Sequence, residues 1–146
     1  MRCRYFSGAV FNNAGAGAVC ACVGDKTPGE TASTALVKTA RVIHYDETPS
    51  GRLEVKIRCN LPQSHQLQIW IHIEPASLDY AYQLFTTVPL LRWDNAPHYE
   101  NLSTSPHHFH DEYGAVHESP LKGNIKRDLK IVLTEINDWM ENQEAE

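Results

Sequence analysis

Leu53-Glu54-Val55-Lys56-Ile57-Arg58-Cys59-Asn60 decides the fold. Leu53, Val55, Ile57 and Cys59 alternate with Arg52, Glu54, Lys56, Arg58 and Asn60. A period of two sends successive side chains to opposite faces, so this is a strand with one buried side. Downstream the pattern recurs: Leu67, Ile69, Ile71 and Ile73 alternate with Gln68, Trp70, His72 and Glu74, and Leu78, Tyr80, Tyr82 and Leu84 with Asp79, Ala81 and Gln83. Upstream, residues 35–45 carry Leu36, Val37, Val42, Ile43 and Tyr45, and Val88 to Trp93 reads as a last short strand. Asp46 to Gly51, Leu61 to Ser64 and Glu74 to Ser77 hold the Pro, Gly, Ser and Asp that bend a backbone between strands. Strands joined by such short connections predict an antiparallel meander.

The C-terminal region changes period. Ile125, Leu129, Val132, Leu133, Ile136, Trp139 and Met140 fall mostly three or four apart, which predicts an amphipathic helix capped by Asn124 or Ser119, with Pro120 suited to a first turn. The acidic tail from Glu141 to Glu146 reads as frayed. The expected fold class is α+β: an antiparallel β-meander sheet with one face covered by the C-terminal helix. Residues 35–146 form that single α+β domain. Residues 1–34 lack periodicity and read as an N-terminal arm, with short strands at Tyr5–Phe11 and Val19–Val23 and a turn at Thr27-Pro28-Gly29.

Composition narrows the function classes. With 146 residues, 42% hydrophobic and 21% charged, the chain can bury an adequate core and is not of the disordered type. A formal net charge of -5 argues against a strongly basic nucleic-acid coat protein, though not against a local basic groove. Cys3, Cys20, Cys22 and Cys59 make no C-x-x-C pair and no disulfide framework, so a reducing compartment is expected. No run is long and apolar enough to span a bilayer. Arg2 and Arg4 ahead of Ala14 to Val19 imitate a signal peptide only loosely, because Asn12 and Asn13 interrupt the apolar run. A cytoplasmic protein with no membrane association is expected.

The functional residues concentrate in Arg92-Trp93-Asp94-Asn95-Ala96-Pro97-His98 and Pro106-His107-His108-Phe109-His110-Asp111-Glu112, which hold four of the eight histidines. No packing rule asks for this mixture, and a loop that carries it points to a site. Imidazoles titrate near neutral pH, so His98, His107, His108 and His110 can take and give protons. Arg92 can meet the extra negative charge on a phosphorane, and Asp94 can hold an imidazole in its useful tautomer. His108 and His110 share a side if the segment is extended. With His98, Asp111 or Glu112 they offer the N and O donors of a Zn²⁺ or Mn²⁺ site. The alternative is structural: Asp94 and Asn95 as turn caps, with histidines bonded to backbone. Lys56, Arg58, Gln68, Trp70 and His72 line the polar sheet face. They form either an ordinary solvated surface or a platform on which Trp70 stacks a base and the cations hold phosphate.

The two histidine strings, in this order and at this spacing, followed by a helix rich in Leu and Ile, resemble the TumE-like toxins of prokaryotic toxin–antitoxin modules over roughly residues 35–140. That resemblance carries over onto Arg92, Asp94, Asn95, His98, His107, His108 and His110. Tyr99 stands where the family often has a second His, and Phe109 where it often has Lys, which removes a proton donor and a phosphate-binding cation. It implies a toxin encoded beside a helix-turn-helix antitoxin.

Two functions are expected from the side chains. One is a small nuclease or nucleotide phosphodiesterase acting on RNA or nucleotides, in a toxin or defence role. Its catalytic set is Arg92, Asp94, His98, His107, His108 and His110, and its substrate-binding set is Asn95, Lys56, Arg58, Trp70 and His72. The other is a non-catalytic module that binds nucleotide, RNA or protein. A homodimer is compatible with a half-covered sheet.

Overall fold

The computed structural model describes residues 36–146. The expected arm, with its strands and Cys3, Cys20 and Cys22, lies outside the described residues. Seven strands follow in chain order: β1 Thr39–Glu47, β2 Leu53–Asn60, β3 Gln66–Glu74, β4 Ser77–Phe85, β5 Pro89–Asp94, β6 His108–His110 and β7 Val116–Glu118. One helix, α1, spans Ile125–Glu144. The sheet order is β1-β2-β3-β4-β5-β6-β7 with every pair antiparallel, so it is the meander expected from the alternation. Two features differ from the sequence expectation. The histidine segment contributes a further strand, β6, where a loop was expected, and β7 follows just beyond it; each is three residues long, too short to show a period. The acidic tail is helical to Glu144, because Asn137 donates to Glu141 at 3.0 Å and Gln63 donates to Glu144.

The core forms where the apolar face of the sheet meets α1. Leu67, Ile69, Leu84 and Trp93 from the strands and Leu129, Val132 and Ile136 from α1 are fully buried in one cluster. Burying each such side chain contributes about 1.5–3 kcal/mol. Asn124 caps α1 by accepting from the Arg127 amide at 3.0 Å. Asp128, with no exposed surface, accepts from the Lys122 and Gly123 amides and fixes the entry to the helix. Cys59 is a free thiol on the buried face, and burial pushes its pKa up to about 12, which suits packing rather than reactivity.

Trp93 ties β5 to α1 by donating its indole N–H to Glu135 at 2.8 Å. Burial raises the Glu135 pKa above the usual carboxylate range; the Trp93 bond opposes that shift and Asp138 adds to it. A carboxyl group whose folded pKa lies above its unfolded value stabilises most below the unfolded value, about 4.3, and loses that contribution as pH rises through the folded pKa. Glu135→Gln keeps an oxygen for Trp93 and removes the charge. Urea midpoints should therefore favour the variant at pH 7, with the difference shrinking at pH 4. A variant less stable at both values would refute this account.

Candidate functional site

The pleat of β5 divides its residues between two environments. Leu91 and Trp93 enter the core, and Arg92 and Asp94 face the side that α1 leaves open. Antiparallel pairing then places His108 opposite Asp94, Phe109 opposite Trp93 and His110 opposite Arg92. Phe109 packs against the Trp93 ring at 5.0 Å on the core side, so the two flanking histidines must point to the open side with Asp94.

Asp94 is the centre of the group and is only 4% exposed. Its Oδ1 accepts from the Ala96 amide at 3.0 Å and lies 3.0 Å from His108 Nε2. Its Oδ2 accepts from Arg92 Nε at 2.7 Å and lies 3.7 Å from His110 Nε2. A buried carboxylate is costly unless such donors surround it. His108 is 1% exposed, and its Nδ1 donates to the Pro106 carbonyl at 2.9 Å. A neutral ring protonated on Nδ1 turns the Nε2 lone pair toward Asp94. That contact is completed by a second ring proton or by a cation between the two groups. Tyr99 roofs the cluster, its ring 4.6 Å from that of His108 and 5.7 Å from that of His110. Burial holds the His110 pKa below its ordinary value, with Asp94 pulling the other way. His110 is therefore a neutral base at pH 7.

One ligand atom each from Asp94, His108 and His110 lies within 4.8 Å of the others. Two imidazoles and a carboxylate are the donor types that divalent Zn²⁺ or Mn²⁺ takes, and the Pro106 carbonyl holds the His108 ring as the outer partner of a ligating His would.

Other predicted residues are placed apart from this cluster. His107 turns toward Tyr80, sharing a 2.8 Å hydrogen bond through Nδ1 and stacking on its ring. Burial lowers its pKa, while Asp128 pulls it up. Asn95 bonds the backbone of β4 at both ends of its amide, accepting from Tyr80 N and donating to the Leu78 carbonyl. His98 is exposed, and among the described residues its side chain has no hydrogen bond or ring partner. Lys56, Arg58, Trp70 and His72 do share the open face with Asp94. Register runs from Lys56 through Trp70 and Ala81 to Asp94 and His108. Trp70 donates to Glu54 at 2.9 Å and stacks on His72, which sits between Glu74 and Asp79.

Tyr99 and Ala81 belong to the site's surroundings and were not assigned to it from sequence. The signal for Tyr99 was its position directly after His98. Ala81 carried none, because its role as the small residue between Trp70 and Asp94 is set by register.

A family model described as Toxin TumE matches residues 30–140 of the chain. No curated protein and no solved structure matches it.

Asp94→Ala leaves the Ala96 amide and the Arg92 Nε–H without their acceptor and empties the space beside the buried His108 ring, an expected cost of about 1–3 kcal/mol for each group left unmatched. His108→Ala vacates the other side of the same contact, so the double variant should lose less than the sum, with coupling of at least about 0.5 kcal/mol. Additive losses in urea unfolding would show that the two side chains do not act as a unit.

Proposed function

The chain belongs to the TumE toxin family, and we propose that its toxic activity is cleavage of RNA or a related nucleotide phosphodiester at the Asp94 cluster. A toxin of this kind implies an antitoxin partner, for which we propose a helix-turn-helix protein. The observation that carries the reading is the convergence of Arg92, His108 and His110 on one buried carboxylate at the edge of an open polar face.

In this reading the neutral His110 takes the proton of a ribose 2′-hydroxyl. The 2′ oxygen attacks phosphorus and the bond from phosphorus to the 5′ oxygen breaks. The products are a 2′,3′-cyclic phosphate and a 5′-hydroxyl end. Arg92, with its Nε held by Asp94, faces the phosphorane with its remaining donors. The leaving 5′ oxygen takes its proton from solvent or from His98, which is exposed four residues beyond Asp94 and stands outside the cluster in the free protein. Asp94 and His108 are positioning residues that fix Arg92 and His110. His107 and Asn95 take no chemical part, because Tyr80 and the β4 backbone occupy them.

A second reading is favoured by the lone pair that His108 Nε2 turns toward Asp94. Asp94, His108 and His110 would then hold Zn²⁺ or Mn²⁺, which supplies positive charge to a phosphate oxygen. The chain's own residues fit such an ion in donor type and closeness.

Incubation of the purified full chain with end-labelled single-stranded RNA should yield cyclic-phosphate ends. His110→Ala and Arg92→Ala should each slow the reaction by about 10²- to 10³-fold with the far-ultraviolet spectrum unchanged. Activity that EDTA abolishes and Mn²⁺ or Zn²⁺ restores selects the metal reading, and activity indifferent to EDTA selects the histidine-only one. RNA bound without turnover under all these conditions would replace cleavage with a non-catalytic binding role.

A further inference from the structure

The open face of the sheet is divided by charge into rows that run across the strands. One row, Asp46, Glu54, His72 and Asp79 in register, carries three carboxylates. Arg52 neutralises part of it through Asp46 at 2.9 Å and Glu54 at 3.8 Å. Four residues along β2, β3 and β4, another row reads Arg41, Arg58, Gln68, Gln83, Arg92, His110. It crosses six strands without a carboxylate, in a chain whose net charge is -5. The row between them holds Lys56, Trp70, Ala81, Asp94 and His108.

Three features of the basic row lack a structural purpose. Arg41 and Arg58 stand directly opposite each other, a like-charge cross-strand pair that costs stability. Neither forms an ion pair among the described residues. The Arg58 Nε is buried with no acceptor. The guanidinium groups are nevertheless held in place. Arg58 donates to the Gln68 side-chain oxygen and lies over the Phe85 ring, and Arg92 donates to Gln83, which is itself anchored to the Leu84 and Leu91 carbonyls. Neutral amides thus orient two of the three cations; Arg41 and Arg58 keep their charge unpaired, Arg92 shares its own with Asp94 through Nε alone, and a polyanion would complete the row.

We propose that Arg41, Arg58 and Arg92 form the phosphate track of a single-stranded RNA that crosses the sheet toward His110, with its bases over the Trp70–Ala81 row. The inference rests on the cleavage reading for its direction and deepens it by naming the substrate class. Arg58 and Arg92 lie three strands apart, about 14 Å at the usual strand spacing. That distance spans roughly two to three nucleotide steps of an extended strand. Ala81 is small and buried, so the stacking surface of this row is the part-exposed indole of Trp70.

The test uses the full chain and fluorescein-labelled 2′-O-methyl RNA of two, four and eight nucleotides, which binds but has no 2′-hydroxyl to attack. Anisotropy should show affinity rising from two nucleotides and levelling at about four. Arg41→Ala, Arg58→Ala and the milder Arg58→Gln should each weaken binding several-fold and lower the slope of log K against log salt by about 1. Lys130→Ala, on the exposed surface of α1, should do neither. Binding independent of length, an unchanged salt slope in the Arg41/Arg58 double variant, or equal binding of duplex RNA or polyglutamate would each overturn the track. The two readings fail separately: length-dependent binding with no cleavage of natural RNA sinks the activity and keeps the track, and cleavage with length-independent binding does the reverse.

Discussion

Burial of one face of the sheet beneath α1 is the constraint from which the remaining features follow. Leu67, Ile69, Leu84 and Trp93 gain nothing comparable if the strands turn over, so each strand is held with its apolar side toward the helix. The opposite side is then decided by default. Every second residue of β2 to β5 is delivered to a face that α1 does not cover, where Lys56, Arg58, Gln68, Trp70, Gln83 and Arg92 can be carried at little cost. Helix and site are connected in this sense, although among the described residues no hydrogen bond or ion pair joins α1 to Arg92, Asp94, His108 or His110. Trp93 is where the two meet, since its indole is bonded to Glu135 in the helix while its neighbours Arg92 and Asp94 face away.

Asp94 is the point at which the sheet tolerates an expense. A carboxylate that is 4% exposed loses most of its hydration and is retained only because Arg92, His108, His110 and the Ala96 amide converge on it. The same arrangement removes freedom from the groups it binds. Arg92 and His110 are directed before any ligand arrives, which is the condition under which charge and proton transfer act without reorganisation. Tyr99 closes over the two histidines from the loop and sets how much water reaches them.

Net charge is a poor guide to such a molecule. A value of -5 excludes a protein that is basic all over, yet the acids are sorted to one side of the open face and the cations to another. Sorting of this kind needs several strands in fixed register, because each strand contributes one residue to each row. Membership of the TumE family makes the protein toxin-like; the rows and the Asp94 group are the surface we propose for that activity.

The alternation in residues 53–60 and 67–84 was enough to determine the meander and its buried face, and the three-to-four spacing from Ile125 to Met140 the helix that covers it, since period and burial are local consequences of side-chain chemistry. That Arg92, Asp94, His108 and His110 would gather was an expectation drawn from the same kind of reasoning, since such groups crowd together only at a cost, and the fold brings these four together. What sequence alone left open was the geometry of the histidine segment. Adjacent imidazoles look alike in a string, and only pairing with β5 sends His108 to Asp94 and leaves His107 with Tyr80. Asn95 likewise reads as a site residue in the sequence, and only the fold shows both ends of its amide bonded to the β4 backbone. The joining of Arg41, Arg58 and Arg92 into one row was equally invisible along the chain. Those residues are far apart in sequence, and their nearness exists only once antiparallel register has set the strands side by side.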